Sequence, residues 1–178
     1  MRQLIFSLTI IAFLSTGCSK NYVAYSSYLQ EKNNWSNTEI ERIQFYTSSD
    51  IVLYREAGNN QTQIVNGKIK MENGREIEEV VIKKGTPGVA VWQQKDNRYG
   101  IAFGNSDEQF LTFGPNPSKN KKYYLLASKW EQGVGTVTYN GEEYFTSPRS
   151  ASTYLQVDMK SIKKIDVDRQ IVKGRTIN

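Results

Sequence analysis

The sequence predicts an all-β fold: an antiparallel sandwich or compact barrel of about ten short strands, with at most one short helix near residues 36–41. Three observations predict it. After residue 17 the chain is rich in Tyr, Val, Ile and Thr and poor in Ala and Leu, a bias that suits half-buried pleated surfaces. Short apolar alternations follow one another closely. Between them stand Asn-Gly pairs and Gly/Pro breaks of the kind that end strands.

The first segment is not part of that pattern. Met1-Arg2-Gln3 is short and positive, and Leu4–Leu14 is an apolar run of eleven residues. A membrane-spanning helix needs ~20, so the run reads as the apolar region of a secretory signal peptide. Ser15-Thr16-Gly17-Cys18 follows at once and resembles the lipobox of bacterial lipoproteins, with Ser15 where that family prefers Leu. The resemblance implies cleavage before Cys18 and acylation of its thiol with diacylglycerol and palmitate-type chains. Cys18 is the only cysteine; a lone thiol in a secreted protein is a reactive liability that lipidation removes, and no disulfide can form. Residue 19 is Ser, not the Asp that retains some lipoproteins at the inner membrane. Lys20 is followed by Asn21 and Tyr22, not by the acids of surface-export signals. The expected location is the periplasmic face of the outer membrane. The expected organisation is a signal peptide at 1–17, a lipid-anchored tether at 18–35 and a β-rich soluble domain at 36–178.

Within the domain, Ser36-Asn37-Thr38-Glu39 has the S-x-x-E form of a capping box and predicts one short helical turn. Arg42–Thr47 then alternates like a strand, and Ile51–Glu56 follows the turn Ser48-Ser49-Asp50. Asn66-Gly67, Asn73-Gly74 and Asn140-Gly141 predict tight hairpins, because Asn and Gly tolerate positive φ. Glu76–Lys83 is a strand, and Lys84-Gly85-Thr86-Pro87-Gly88 a turn. Val89–Trp92, Tyr99–Phe103, Gln109–Phe113 and Lys122–Ala127 are further strands. Gly114-Pro115-Asn116-Pro117 marks a break, a candidate seam if the domain were two small β-units. Gly135–Tyr139 with Glu142–Thr146 is the clearest hairpin, and Thr153–Met159 and Ile162–Val172 close the chain.

The stretches Ile43–Leu53, Ile82–Val89 and Val137–Gly141 resemble uncharacterised Bacteroidetes-type envelope lipoproteins. These are turn-forming and core residues. The resemblance implies a compartment and brings no activity to any position.

Composition excludes several chemistries. Histidine is absent from the chain, so Ser-His-Asp and Cys-His catalysis are closed to it. His-based zinc sites, and Cys-based ones beyond Cys18, are closed too. No cofactor is expected. The net charge of +5 loses Arg2 with the signal; the remainder allows attraction to anionic headgroups or acidic partners. Nucleic acid is not an expected partner of an exported chain.

The candidate sites are few. Glu78-Glu79 and Glu142-Glu143 are paired acids, but neighbours on a strand point to opposite faces, and a glycosidase needs two carboxylates on one cleft. The expectation is solvated strand edges, with a cross-hairpin pair left open. Asp96, Asn97, Asp107 and Glu108 lie in loops and read as turn residues, without Ca²⁺-loop spacing. For ligand or partner binding the candidates are Trp92, Tyr99, Tyr124 and Trp130 as exposed aromatics, and Lys163 and Lys164 in a basic C-terminal run. Metal-binding and catalytic residues are not expected.

The reading from sequence is a non-enzymatic, membrane-anchored envelope lipoprotein that binds or scaffolds other envelope proteins, as in a secretion or surface-assembly complex. A glycan- or lipid-binding β-domain is the alternative, and a carboxylate-dependent hydrolase the second.

Overall fold

Two antiparallel sheets make the fold. The computed structural model describes residues 20–56, 67–72, 75–94 and 96–162; side chains are described except those of 67–72, 75 and 76. The expected signal segment at 1–17, Cys18, Lys163 and Lys164 lie outside the described residues, as do Asn66 and Asn73-Gly74, where the sequence predicts tight turns.

The first sheet has seven strands: β1 (Tyr22–Ala24), β13 (Leu155–Asp158), β2 (Phe45–Thr47), β6 (Pro87–Gln93), β7 (Tyr99–Ala102), β8 (Phe110–Asn116) and β9 (Lys122–Leu125), in that order across it. It curls strongly. Single bridges Tyr124↔Tyr154 and Ser26↔Lys122 bring β9 back to the β13 edge where β1 leaves off, without a continuous ladder. The second sheet has six: β10 (Lys129–Glu131), β11 (Val134–Tyr139), β12 (Glu142–Thr146), β3 (Ile51–Glu56), β5 (Arg75–Ile82) and β4 (Gly67–Glu72). The fold is thus an all-β sandwich, with thirteen strands among the described residues.

Local chemistry explains several joints. Asn140 and Gly141 hold φ of 54° and 76°, the left-handed pair that a two-residue hairpin requires, and Tyr139 pairs Glu142 across it. The Ser36 turn forms α2 (Asn37–Ile40), where Glu39 Oε2 accepts from the Ser36 N–H at 2.7 Å. Gly114-Pro115 is not a seam: β8 runs through it, and Pro115 pairs Tyr123. Pro115 and Pro87 sit in strands although neither can donate to a ladder.

The largest departure from the sequence reading is at the N-terminus. Residues expected in a tether form β1 and a second helix, α1 (Ser27–Lys32), and place Tyr25 and Trp35 in the core. Ser26 caps α1 by accepting from the Leu29 N–H at 3.2 Å. Tyr25 and Trp35 stack with ring centroids 6.3 Å apart, and Tyr25 meets Phe45 edge-on at 5.0 Å.

Tyr25, Tyr99 and Tyr123 fill the interior of the curled sheet, and their hydroxyls converge on one atom. Gln30 Oε1, on α1, accepts from them at 3.1, 3.1 and 3.2 Å. Burial first, then the neighbouring tyrosines, pushes Tyr25 and Tyr123 well above the usual phenol pKa. Both therefore stay neutral in the fold.

Replacing Gln30 by Leu is expected to cost about 2–4 kcal/mol, because buried hydroxyls lose their acceptor. Urea denaturation measures it; a loss under about 0.5 kcal/mol would show that water replaces the amide.

Tyr25 and Tyr123 set an alkaline limit. Their pKa is raised in the folded state, so above pH ~10 only the unfolded chain ionises them. Stability is then flat below that pH and falls above it, by about 1.4 kcal/mol per pH unit for each phenol still neutral in the fold. Denaturation series from pH 8 to 11.5 check this, and stability that rises through pH 10 would contradict it.

Candidate functional site

Strand β6 carries a bulge. Ala90 pairs Ile101 and Trp92 pairs Gly100, so Val91 is extra on its strand. In strict alternation Trp92 would follow Gly88 and Ala90 inward. The bulge reverses its face, and Trp92 stands outside with 42% of its surface exposed.

There it stacks on Phe110 of β8, centroids 6.1 Å apart and planes 24° from parallel. Gly100 lies beneath the pair. A Cβ on Gly100 would fall 2.8 Å from the Phe110 ring and 3.1 Å from the Trp92 Cβ, so only glycine lets both lie down. The arrangement recurs nearby: Leu126 lies on Gly114 and the Trp130 ring on Gly135, where a Cβ would approach to 2.7 Å in each case.

A groove of about 250 Å³ opens over this platform, between the outer face of the first sheet and β11. Trp92, Phe110 and Leu126 give it an apolar floor; Gln94, Arg98, Thr112, Ser128, Thr136 and Thr138 give it a polar wall. Arg98 Nε is paired to Asp96 Oδ2 at 2.7 Å, half in solvent. Among the described residues, the side chains of Gln94, Thr112 and Thr138 make no hydrogen bond. The groove can stack a flat apolar face and offer donors and acceptors around its rim.

Of the residues singled out from sequence, Trp92 alone lines this groove. Trp130 is 40% exposed and borders it, its ring near Gly135 and the groove residue Ala127. Tyr99 is a correction: it is fully buried, on the inner face with Ile101, and its hydroxyl belongs to the Gln30 cluster. Tyr124 faces outward but is half-buried, packed on Tyr154 at 5.6 Å and absent from the groove lining. Phe110, Arg98 and Gln94 were missed. The signal for Phe110 was Gly100 within a strand pattern, which marks a close approach.

A second cluster lies on the inner face of the second sheet. Arg55 donates from Nε to Glu78 Oε2 and from a terminal nitrogen to Glu142 Oε2, both at 2.7 Å. Tyr144 donates to Glu78 Oε1 at 2.8 Å, and the guanidinium stands 5.1 Å from the Tyr144 ring centroid. Burial, then the Glu78 bond, raises Tyr144 above the usual phenol pKa. Glu78 is 7% exposed rather than on a solvated edge. Here two acids from different hairpins do converge, but on an arginine, and both Glu78 oxygens are taken. Asp96 is likewise engaged by Arg98.

Comparison of the chain with protein-family models, curated proteins and solved structures returns no match.

Replacing Arg55 by Met is expected to destabilise the fold by about 3 kcal/mol, since it strands a buried carboxylate. The double variant R55M/E78Q, which removes the charge but keeps an acceptor for the Tyr144 hydroxyl, should recover most of that in chemical denaturation. A double variant as unstable as the single one would show that packing, not the uncompensated charge, sets the cost.

Proposed function

We propose that the protein is a non-enzymatic, lipid-anchored binding module of a bacterial envelope, and that its ligand lies in the Trp92 groove. The observation that carries this is the bulge at Val91, which turns a tryptophan out of the core onto a platform with Phe110. A large apolar surface is thereby left in water beside Gln94, Thr112 and Thr138, whose side chains have no hydrogen-bond partner among the described residues. That is a costly arrangement for a fold and a useful one for a binding site. The anchor is supported by the apolar run Leu4–Leu14 and by Cys18 directly after small residues. The non-enzymatic reading is supported by the absence of histidine and by the engagement of Glu78 with Arg55 and Tyr144.

A glycan is the ligand class that suits the groove. A sugar ring offers a flat C–H face for the indole and hydroxyls that need both donors and acceptors. Gln94, Arg98 and the threonines supply both kinds. The protein-scaffold reading has a different support: Tyr54 and Phe145 lie together on the outer face of the second sheet, rings 6.0 Å apart, with Val81 exposed on the same sheet.

Titration with soluble cell-wall glycan fragments, measured by isothermal titration calorimetry, tests the reading. Trp92→Ala is expected to weaken binding about tenfold while costing about 1–2 kcal/mol of stability from the lost Phe110 stack. Equal binding by W92A would remove the groove from the reading. A fixed-ratio protein complex recovered in mild detergent that survives W92A but is lost in F145A would favour the scaffold.

A further inference from the structure

We propose that the helix-covered end of the first sheet is a membrane-contact face, lying on anionic lipid headgroups. The proposal rests on the reading of Cys18 as the acylated residue.

Antiparallel pairing fixes which parts share that end. Strand β1 starts there at Tyr22, opposite Asp158 at the close of β13. Continuing around the sheet, β2 starts, β6 ends, β7 starts, β8 ends at Asn116 and β9 starts at Lys122. Helices α1 and α2 connect β1 to the start of β2 and cover the interior with Trp35 and Ile40.

Reach decides the distance. Tyr22 stands four residues after Cys18, which a fully extended chain spans in about 14 Å at most. The polar layer of one leaflet is itself about 5–7 Å thick. An acylated Cys18 therefore holds this end against the headgroups, because the residues that could have served as a spacer are built into the sheet. Asn21 is fixed as well: its N–H donates to Asp158 at 3.3 Å, and its carbonyl accepts from the Met159 N–H at 3.1 Å.

The chemistry of the end matches such a surface. Lys20, Lys32, Lys119, Lys121 and Lys122 lie along the β1–β9 side, and among the described residues none of them pairs with a carboxylate. On that side, Glu31 and Asp158 are the acids, and Asp158 accepts from backbone N–H groups. Tyrosines interleave with the lysines. Tyr28 is 67% exposed on α1; Lys20 Nζ is 4.9 Å from the Tyr46 ring centroid, and Lys122 Nζ 5.4 Å from that of Tyr154. Lysine and tyrosine together are the side chains that favour the headgroup level. Elsewhere among the described residues, Lys83 pairs Asp50 and Lys129 pairs Glu131, while Lys84 and Arg149 are isolated exposed cations rather than members of a cluster.

Amine acetylation read by mass spectrometry tests the face on the full, acylated chain. The chain is compared in detergent, in phosphatidylcholine vesicles and in vesicles containing phosphatidylglycerol. Lys20, Lys119, Lys121 and Lys122 are expected to label at least about threefold more slowly in the phosphatidylglycerol vesicles than in detergent, with Lys83 and Lys129 unchanged. Equal labelling at all sites, or slowing at Lys83 and Lys129 instead, overturns the proposal. Equal slowing in pure phosphatidylcholine overturns its anionic part. The mass of the Cys18 peptide separately reports acylation. Should Cys18 carry no lipid, the anchor fails and the face is judged by sedimentation of the unacylated chain with phosphatidylglycerol vesicles. K119E/K121E/K122E is then expected to bind at least about 100-fold more weakly, at about fivefold per lysine; no binding by the unsubstituted chain overturns the face.

Discussion

The interior of a strongly curled sheet is narrow, and this one is filled largely by tyrosines. Their rings supply volume, but each brings a hydroxyl that cannot be buried without a partner. Gln30 resolves that constraint for Tyr25, Tyr99 and Tyr123 together. Much else depends on it. The amide can reach the three hydroxyls only if α1 lies across the end of the sheet. That in turn requires β1 to pair with β13 and Tyr25 to enter the core. Residues 22–35 are thereby part of the fold.

On the outer surface, glycine plays the corresponding role. Gly100 and Gly114 each lie under an apolar side chain of the neighbouring chain segment, where a Cβ would collide. Each such strand position loses side-chain packing of its own, yet gains a ring or a leucine laid flat on the backbone. Combined with the bulge at Val91, this makes a smooth aromatic floor instead of isolated projecting side chains. A floor of this kind is preorganised: Trp92 and Phe110 restrain one another, so less side-chain freedom is lost when a ligand covers them.

The sequence made the fold class legible because alternation and turn chemistry are local. Asn140-Gly141 and the Ser36–Glu39 cap could be read from four residues each. What escaped was set by pairs distant in the chain. Tyr25 and Trp35 looked like aromatics scattered in a polar tether, since their partners Phe45, Tyr99 and Tyr123 come later. Tyr99 looked like a surface aromatic because the acceptor for its hydroxyl lies 69 residues away. Glu78 looked like a solvated acid for the same reason, with Arg55 and Tyr144 on other strands. Trp92 was identified from its residue type, while the Val91 bulge that exposes it left no mark in the alternation. Phe110 and Arg98 were not identified at all, though Gly100 was a legible sign that some ring lay across β7.

The proposed anchor and the groove are geometrically linked. Gln94 and Arg98 flank the turn between β6 and β7, which lies at the same end of the sheet as Tyr22 and the helices. Leu126 and Ser128 follow the far end of β9. The groove therefore runs along the strands from the helix-covered end towards the second sheet. If that end rests on lipid, Arg98 and Gln94 stand at the membrane-proximal mouth, and Ser128 and Thr136 open away from it. A ligand lying in the groove would then run away from the bilayer rather than along it. A chain anchored in the same membrane could enter by Arg98, whereas a polymer lying parallel to the membrane would reach only the distal rim near Trp130. Orientation at the surface would thus discriminate between ligands whose local chemistry the groove treats alike.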